Sequence, residues 1–201
     1  YMLNFEERKR DHIEISLSPQ SQTTGSTGLD KVELIHEALP EIDFSDIKTR
    51  TKTLGREFSS PMFVASMTLG HSSSSNINHV IASVCEQKNW LMGVGSQRRQ
   101  LEDDTAFQEC KDLRQRYPGL ALMGNIGLSQ LIQTPVEKIK RLADSLEAQA
   151  MIVHTNPLQE SIQPEGTPQF KGGIEALEKL SKELSIPVIL KENGGGFSEK
   201  T

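Results

Sequence analysis

Short runs of apolar residues recur about every thirty residues in the second part of the chain, and this spacing limits the possible folds more than any other feature. The runs lie at Pro61–Ser66, Trp90–Val94, Leu120–Gly124, Met151–His154 and Val188–Lys191. Each run is continuous rather than alternating, which is typical of strands that are covered on both faces. Because a strand, a helix and a second strand need about thirty residues, the spacing predicts repeated βαβ units.

The segments between these runs have helical patterns. Helices are predicted at Asn76–Lys88, Thr105–Arg116, Pro135–Glu147 and Gly173–Leu184. The third has a start signal in which Thr134 caps the helix and Glu137 completes a capping box. Residues 1–60 are instead polar and irregular, with a short charged helix predicted at Phe5–Ile15 and a hairpin predicted around Gly55-Arg56.

Polar loops follow every apolar run, at the carboxyl end of each predicted strand. A (β/α)₈ barrel collects its active site along that rim, whereas a doubly wound sheet concentrates it at one switch point. We therefore predict an α/β fold of the (β/α)₈ (TIM) barrel type, of which about five strands are present in this chain. Residues 1–60 would form an N-terminal polar segment with the hairpin, and residues 61–201 the first five βα units, with the C-terminal units absent.

The composition excludes several classes of protein. With 22 Lys+Arg against 27 Asp+Glu, the net charge of −5 argues against broad binding to nucleic acid or to anionic membranes. No apolar stretch approaches the roughly 18 residues of a membrane span, and no signal peptide is recognisable, so we expect a cytoplasmic protein. Cys85 and Cys110 lack the spacing of metal ligands and are expected to be free thiols.

Three segments carry residue types that are suited to chemistry. Ser96–Arg99 offers donors for phosphate oxygens, although two loop arginines could equally be solvated. Arg8-Lys9-Arg10, with His12 after it, is more often a solvated helix face than a ligand site. His154–Glu160 combines a histidine, an amide and a carboxylate that could hold Mg²⁺, although a lone histidine is more often a core residue.

Lys191 ends an apolar strand, where a lysine needs a negative partner or a shifted pKa. Its partner could be a cofactor, a carbonyl substrate bound as a Schiff base, or simply the neighbouring Glu192. The chain contains no Walker A motif, no G-x-G-x-x-G after a strand and no G-x-S-x-G.

Taken in order, these segments resemble the type 2 isopentenyl-diphosphate isomerase family over nearly the whole chain. The resemblance is carried by Arg8-Lys9 with His12, Ala38–Glu41, Met67-Thr68, Gly93–Arg98, Asn125–Gly127, His154 with Asn156–Glu160, Gln163–Gly166, and Pro187–Glu192. Members of that family are FMN-dependent (β/α)₈ barrels that interconvert isopentenyl and dimethylallyl diphosphate in isoprenoid biosynthesis. The resemblance implies a 1,3-allylic proton shift in which reduced FMN is the acid and base, with NADPH serving only to reduce the FMN.

The resemblance also assigns roles to matching positions. Implied substrate ligands are Arg8, Lys9, His12, Ser96, Gln97, Arg98, Asn156 and Gln159. Implied FMN contacts are Ser66, Met67, Thr68, Ser96, Asn125 and Lys191. Gln159 and His154 would lie at the reacting carbons, and Glu160 would bind Mg²⁺. The chain departs from the family pattern at Leu69, Thr155 and Asn193–Gly195, which line the expected place of the flavin ring.

Three other interpretations remain open on the sequence. The chain could be a different FMN-dependent barrel oxidoreductase, an aldolase-like barrel in which Lys191 forms a Schiff base, or a truncated, non-catalytic fragment. Under the main interpretation its partners are a small diphosphate substrate and further copies of itself in a homo-oligomer, with neither nucleic acid nor membrane.

Overall fold

The computed structural model describes residues 14–22, 25, 28–66, 74–163 and 166–201. Strands β1 and β2 form an antiparallel hairpin. Five further strands, β3 to β7, form a parallel sheet in which each strand lies next to its neighbour in the chain. The strands are β1 (Thr51–Thr53), β2 (Arg56–Phe58), β3 (Phe63–Val64), β4 (Leu91–Gly93), β5 (Ala121–Gly127), β6 (Ala150–His154) and β7 (Val188–Lys191).

Six helices connect or follow the parallel strands in the described part of the chain. They are α1 (Ser74–Lys88), α2 (Asp104–Arg116), α3 (Leu128–Gln133), α4 (Val136–Leu146), α5 (Pro157–Ile162) and α6 (Gly173–Glu183). Short 3₁₀ turns lie at Pro19–Ser21, Leu29–Lys31, Phe44–Asp46 and Arg99–Leu101. Among the described residues, no helix is both long and apolar enough to cross a membrane. Most of the helix predicted at Phe5–Ile15 lies outside the described residues.

The strand order identifies the type of sheet. In a doubly wound sheet the order reverses at a switch point, and helices then cover both faces. Here the order does not reverse, so right-handed crossovers place every connecting helix on the same face. The five strands form a curled half-barrel with helices outside, and the predicted (β/α)₈ class is confirmed.

Alternating side chains divide the sheet into an outer and an inner face. The outer face packs against the helices in one large apolar core, to which the helices contribute Cys85, Cys110, Leu113, Ile139, Leu142, Leu146 and Leu180, and the strands Met92, Leu122, Ile126, Met151 and Val153. Continuous apolar runs therefore mark strands that are covered on both sides, as predicted. Cys85 and Cys110 are free and buried, as expected from their spacing.

The inner face has an apolar lower half that the hairpin covers. Phe58 of β2 packs against Leu91, Ala121, Met123, Ala150 and Ile152 in a second, smaller core. Arg56 donates a hydrogen bond of 2.7 Å to the carbonyl of Gly119, just before β5 begins. The hairpin thus lies at the amino end of the strands, and any ligand site on the inner face must lie nearer their carboxyl ends.

Two local predictions were wrong for identifiable reasons. Asn125, Ile126 and Gly127 belong to β5 rather than to a loop, because Gln97 extends the ladder: its N–H donates to Asn125 O (2.8 Å) and its Oε1 accepts from Asn125 N–H (3.0 Å). The capping box at Thr134 does not form. Thr134 instead ends the unpredicted helix α3, and Pro135 caps α4 without a side-chain hydrogen bond.

The hairpin forms where it was predicted, but its turn residues are Leu54 and Gly55. Both have positive φ, 49° and 73°, as a two-residue turn that matches strand twist requires.

Arg114 ties the carboxyl ends of two helices to the start of β5. Arg114 is 8% exposed, and its guanidinium donates to the carbonyls of Leu146 (2.7 Å), Tyr117 (3.0 Å), Pro118 (3.1 Å) and Leu120 (2.9 Å). Leu146 ends α4, and the other three carbonyls belong to the loop between α2 and β5. One side chain therefore satisfies carbonyl groups that would otherwise be buried without a donor.

We predict that Arg114→Met lowers the free energy of unfolding by about 3 kcal/mol, because each buried carbonyl that loses its donor costs about 1–3 kcal/mol. Arg116→Met is the matched control, since Arg116 is exposed on the same helix and its loss should change stability by less than about 0.5 kcal/mol. Urea unfolding of both variants measures the difference. Equal midpoints for the two variants would contradict this role of Arg114.

Candidate active site

The carboxyl ends of β5, β6 and β7 bring three predicted site residues onto the inner face. The register pairs Gly127 with His154 and His154 with Lys191. Asn125 lies two residues before Gly127 and therefore on the same face. His154 Nδ1 lies 2.9 Å from Asn125 Oδ1, so the two side chains are joined by a hydrogen bond. The apolar inner face thus ends in a polar edge, which we call the polar row: Asn125, Gly127, His154 and Lys191.

The polar row depends on a glycine at Gly127. A Cβ at this position would collide with Gln130 Oε1 and would lie 3.2 Å from His154 Nε2. The missing side chain therefore allows Gln130 and His154 to approach the same point. Gln130 was not among the predicted site residues; the available signal was its position three residues after Gly127, in the first turn after a strand end.

Ser66 follows β3 and lies over the neighbouring strand. A Cβ at Gly93 would collide with Ser66 Oγ, and it would lie 3.3 Å from Cδ1 of the inward-facing Ile152. Ser66 Oγ is buried, and the described residues offer it no hydrogen-bond partner. A buried hydroxyl without a partner costs free energy, so it marks a place where a ligand would supply the partner.

The loop after β4 carries several predicted ligands, and their side chains have different surroundings. Gln97 is fully buried, and its amide reaches the backbone of Asn125 and Cys110 Sγ (3.6 Å) on the helix side of the sheet. Substrate contact by Gln97 stays a prediction, and in this structure its side chain holds β5 in place. Arg99 pairs with Asp103 (2.8 Å) and Glu109 (3.6 Å), which ties it to α2. Ser96 and Arg98 are half-buried in the same loop.

The segment after β6 brings Asn156, Gln159 and Glu160 together at the start of α5. Asn156 Nδ2 donates to Glu160 Oε1 (3.0 Å) and lies 3.3 Å from Gln159 Oε1. Glu160 is 3% exposed, and its Oε2 accepts from the backbone N–H of Thr167 at 2.6 Å. These two donors fix the orientation of the carboxylate at the start of α5. A buried oriented carboxylate suits a hard cation that also takes substrate phosphates.

The loop after β7 separates Lys191 from the carboxylate of Glu192. Lys191 Nζ donates to Asn193 Oδ1 (3.0 Å) and lies 3.3 Å from the backbone oxygen of Glu192. The Glu192 carboxylate instead accepts from the N–H groups of Gly194 (2.6 Å) and Gly196 (2.7 Å). Simple pairing of Lys191 with the Glu192 carboxylate, one of the expected alternatives, is therefore wrong.

Five predicted site residues lie outside the described residues: Arg8, Lys9, His12, Met67 and Thr68. Within the described ranges, no group of three or more His, Cys, Asp or Glu side chains could hold a metal ion.

Comparison with known proteins identifies the family. A family model described as FMN-dependent dehydrogenase matches residues 17–119, just over half of the chain. The chain belongs to the FMN-dependent dehydrogenase family. The matched range includes the Ser66–Thr68 segment and the Ser96–Arg98 loop.

Curated relatives named isopentenyl-diphosphate delta-isomerase match nearly the whole chain, which confirms the resemblance predicted from the motifs. The relative from Bdellovibrio bacteriovorus is 51% identical over 201 residues, covering 98% of this chain and 58% of its own length. That from Legionella pneumophila strain Corby is 49% identical, with coverages of 98% and 58%. That from Archaeoglobus fulgidus is 39% identical, with coverages of 96% and 56%. The chain thus spans less than two thirds of the length of these relatives.

The inner face fits the cofactor of this FMN-dependent family. The buried Ser66 Oγ offers a hydrogen-bonding group that no described residue uses. At Gly93 and Gly127 the space that a Cβ would need is taken by Ser66 Oγ and Gln130 Oε1, so polar atoms of these two side chains line the inner face there. Lys191 places a half-buried ammonium group at the edge of the same face, where it would favour a negatively charged ligand.

The carboxylate of Glu192 accepts hydrogen bonds from backbone N–H groups of its own loop. Hydrogen bonds from the N–H groups of Gly196, Gly194 and Asn193 lower the pKa of Glu192 from 4.5 to about 2. A lowered pKa means that the folded loop favours the ionised carboxylate. The stability that this carboxylate adds to the loop is therefore complete above pH 4.5 and is lost as the pH falls through about 2. A carbon NMR titration of Glu192 should therefore have a midpoint near 2.

The amide protection factors of Gly194 and Gly196 should decrease over the same pH range and should be lowered at every pH in Glu192→Gln. A midpoint near the ordinary glutamate value of about 4.3 would contradict the predicted hydrogen bonds.

Proposed function

We propose that this chain is part of an FMN-dependent isomerase that interconverts isopentenyl and dimethylallyl diphosphate, in isoprenoid biosynthesis. The observation that supports this most strongly is the polar row beside the Asn156–Glu160 pair, in a chain 51% identical to a protein named isopentenyl-diphosphate delta-isomerase. Both features lie at the carboxyl ends of parallel strands, where barrels of this kind carry their active sites.

FMN would be held on the inner face by Ser66, Met67, Thr68, Ser96, Asn125 and Lys191. When bound in its reduced form, it would supply the acid and base for a 1,3-proton shift, and NADPH would serve only as its reductant. Lys191 would place its ammonium group against the electron-rich part of the ring, giving up its contact with Asn193 or sharing its three donors.

The substrate's diphosphate would be bound by Arg8, Lys9 and His12 together with the loop from Ser96 to Arg98. Glu160 would bind Mg²⁺, which usually takes one or two carboxylates plus phosphate oxygens. Asn156 supports this role, since its amide orients the Glu160 carboxylate at 3.0 Å. Asn156 and Gln159 would contact the substrate, with Gln159 next to the reacting carbons.

His154 would lie beside the reacting carbons and keep its proton at Nδ1. With Asn125 Oδ1 as the acceptor at 2.9 Å, Nδ1 carries the proton, and the basic nitrogen of a neutral ring is then Nε2. Nε2 faces the point above Gly127. The sheet would thus fix the Nδ1 edge of the ring, and Nε2 would lie on the edge nearer Gly127.

We propose a cytoplasmic homo-oligomer with neither nucleic acid nor membrane as a partner, in which residues 61–201 supply five βα units and residues 1–60 an N-terminal segment. An FMN-dependent oxidoreductase is the rival, because the family model carries a dehydrogenase description. The names of the relatives favour the isomerase.

The proposed activity predicts proton exchange without net oxidation. With reduced FMN and Mg²⁺ in D₂O, isopentenyl diphosphate should yield deuterated dimethylallyl diphosphate, and the amount of reduced FMN should stay constant. Glu160→Gln should lose most of this activity and its dependence on Mg²⁺, whereas Glu175→Gln, in the first turn of α6, should keep both. Proton NMR follows the products.

Loss of reduced FMN in proportion to reduced product, or, in a parallel reaction started with oxidised FMN, oxidation of the substrate in proportion to FMN reduced, would favour the rival oxidoreductase. Full activity of the unmodified protein in EDTA would contradict the role of Glu160.

A further inference from the structure

Gly166 and Thr167 return to the carboxylate of Glu160 after helix α5 has ended. The helix ends at Ile162, and the N–H of Gly166 then donates to the carbonyl of Gln163 at 2.9 Å. One residue later, the N–H of Thr167 donates to Glu160 Oε2 at 2.6 Å. A backbone group that follows the helix therefore contacts a side chain that the helix carries.

This close approach requires a glycine at position 166. A Cβ on Gly166 would collide with the carbonyl oxygen of Glu160, and it would lie 2.7 Å from the carbonyl carbon of the same residue and 3.0 Å from the carbonyl oxygen of Gln163. All three are backbone atoms, which cannot move aside as the end of a flexible side chain can. We therefore expect any side chain at this position to move the N–H of Thr167 away from Glu160.

The carboxylate of Glu160 is oriented from both ends of α5. Asn156 lies just before the helix and donates its side-chain amide to Oε1 at 3.0 Å, whereas Thr167 lies after the helix and donates its backbone N–H to Oε2. Asn156 can change its rotamer, but the N–H of Thr167 moves only with the backbone. Because an ionised carboxylate has about four lone-pair sites, these two hydrogen bonds are compatible with a metal ion at the same group.

We propose that Gly166 and Thr167 position the Glu160 carboxylate for Mg²⁺: Thr167 supplies the orienting N–H, and Gly166 the space that lets it approach. The part that concerns Mg²⁺ rests on the proposed function, whereas the orientation of the carboxylate follows from the geometry of the ligand-free chain. Mg²⁺ demands near-ideal octahedral geometry, so a misdirected carboxylate binds it poorly. Loss of a group that orients a metal ligand typically costs about 10- to 100-fold in metal affinity.

The first test removes the N–H of Thr167 and leaves Glu160 in place. Thr167→Pro lacks the donor, and Thr167→Ala is the matched control that keeps it. Thr167 precedes Pro168, and a residue before proline already favours the extended backbone that proline can adopt. The side-chain carboxyl ¹³C signal of Glu160, assigned from its loss in Glu160→Gln, is measured in the ligand-free protein.

We expect this carboxyl signal to shift in Thr167→Pro and to stay unchanged in Thr167→Ala. An unchanged signal in Thr167→Pro, or the same change in both variants, would overturn the proposal.

Gly166→Ala tests the space that the approach needs, with Gly119→Ala as its control. A Cβ at Gly119 would meet only the side chain of Glu86, whose end can move. The Glu160 carboxyl signal should therefore shift in Gly166→Ala and not in Gly119→Ala. If folded Gly166→Ala keeps the signal of the unmodified protein, the role of Gly166 is wrong.

A further measurement leaves the backbone of this segment unchanged, in case neither Thr167→Pro nor Gly166→Ala folds. A hydrogen bond to a charged acceptor is stronger than one to a neutral acceptor, so the amide-proton signal of Thr167 should move upfield in Glu160→Gln. It should not move in Glu175→Gln. Equal Thr167 signals in the unmodified protein and in Glu160→Gln would overturn the proposal.

The last test concerns Mg²⁺ itself. In the isomerase assay, the Mg²⁺ concentration that gives half of the full activity should rise about 10- to 100-fold in Thr167→Pro and stay within about twofold in Thr167→Ala. FMN affinity should be the same in both variants. An unchanged Mg²⁺ requirement in folded Thr167→Pro, or an equal loss of FMN affinity, would overturn the positioning role. If the unmodified protein lacks isomerase activity, the proposed function fails, and the Glu160 signal still decides whether Thr167 orients the carboxylate.

Discussion

The parallel register of β5, β6 and β7 is the constraint on which the candidate site depends. It places Gly127, His154 and Lys191 side by side, and the two-residue period of a strand directs all three toward the inner face. A slip of one residue in β6 would turn His154 toward the helices and bring Val153 inward. The apolar outer face opposes such a slip, because Met151 and Val153 are fully buried against the helix layer.

The inner face is apolar in the amino half of the strands and polar at their carboxyl ends, and this difference determines where a ligand can bind. Phe58 and its neighbours fill the amino half of the face, so a ligand can only occupy the carboxyl half. There the chain keeps a buried hydroxyl at Ser66 that no described residue satisfies, and Ser66 Oγ and Gln130 Oε1 lie over Gly93 and Gly127. A buried hydroxyl without a partner costs free energy in the unliganded protein and suits the binding of a polar ligand.

The strands and most helices could be predicted from the sequence because each depends on a local pattern. Val188–Lys191 and the α6 segment lie where apolar periodicity placed them. The extension of β5 could not be predicted, because it depends on Gln97, a side chain 28 residues away from its partner Asn125. The failed cap at Thr134 has a similar origin, since the preceding helix α3 already uses that residue as its end.

The site was predictable to the extent that its chemistry lies at strand ends. Asn125, His154 and Lys191 were selected individually, and the register brings them together. The direction of each side chain was not predictable in the same way. Gln97 turns to the helix side, and Lys191 meets Asn193 rather than the Glu192 carboxylate, because both orientations depend on backbone groups that only the folded loops present.

The central claim is that FMN binds on the inner face at the polar row. Amide chemical-shift mapping during an FMN titration tests it most directly, since it also detects weak binding. We predict that the largest changes cluster at Ser66, Gly93, Gly127, His154 and Lys191, and that Lys191→Met weakens the binding about tenfold while the exposed Lys182→Met does not. Changes confined to the hairpin at Thr51–Phe58, or to the exposed faces of the helices, would contradict it.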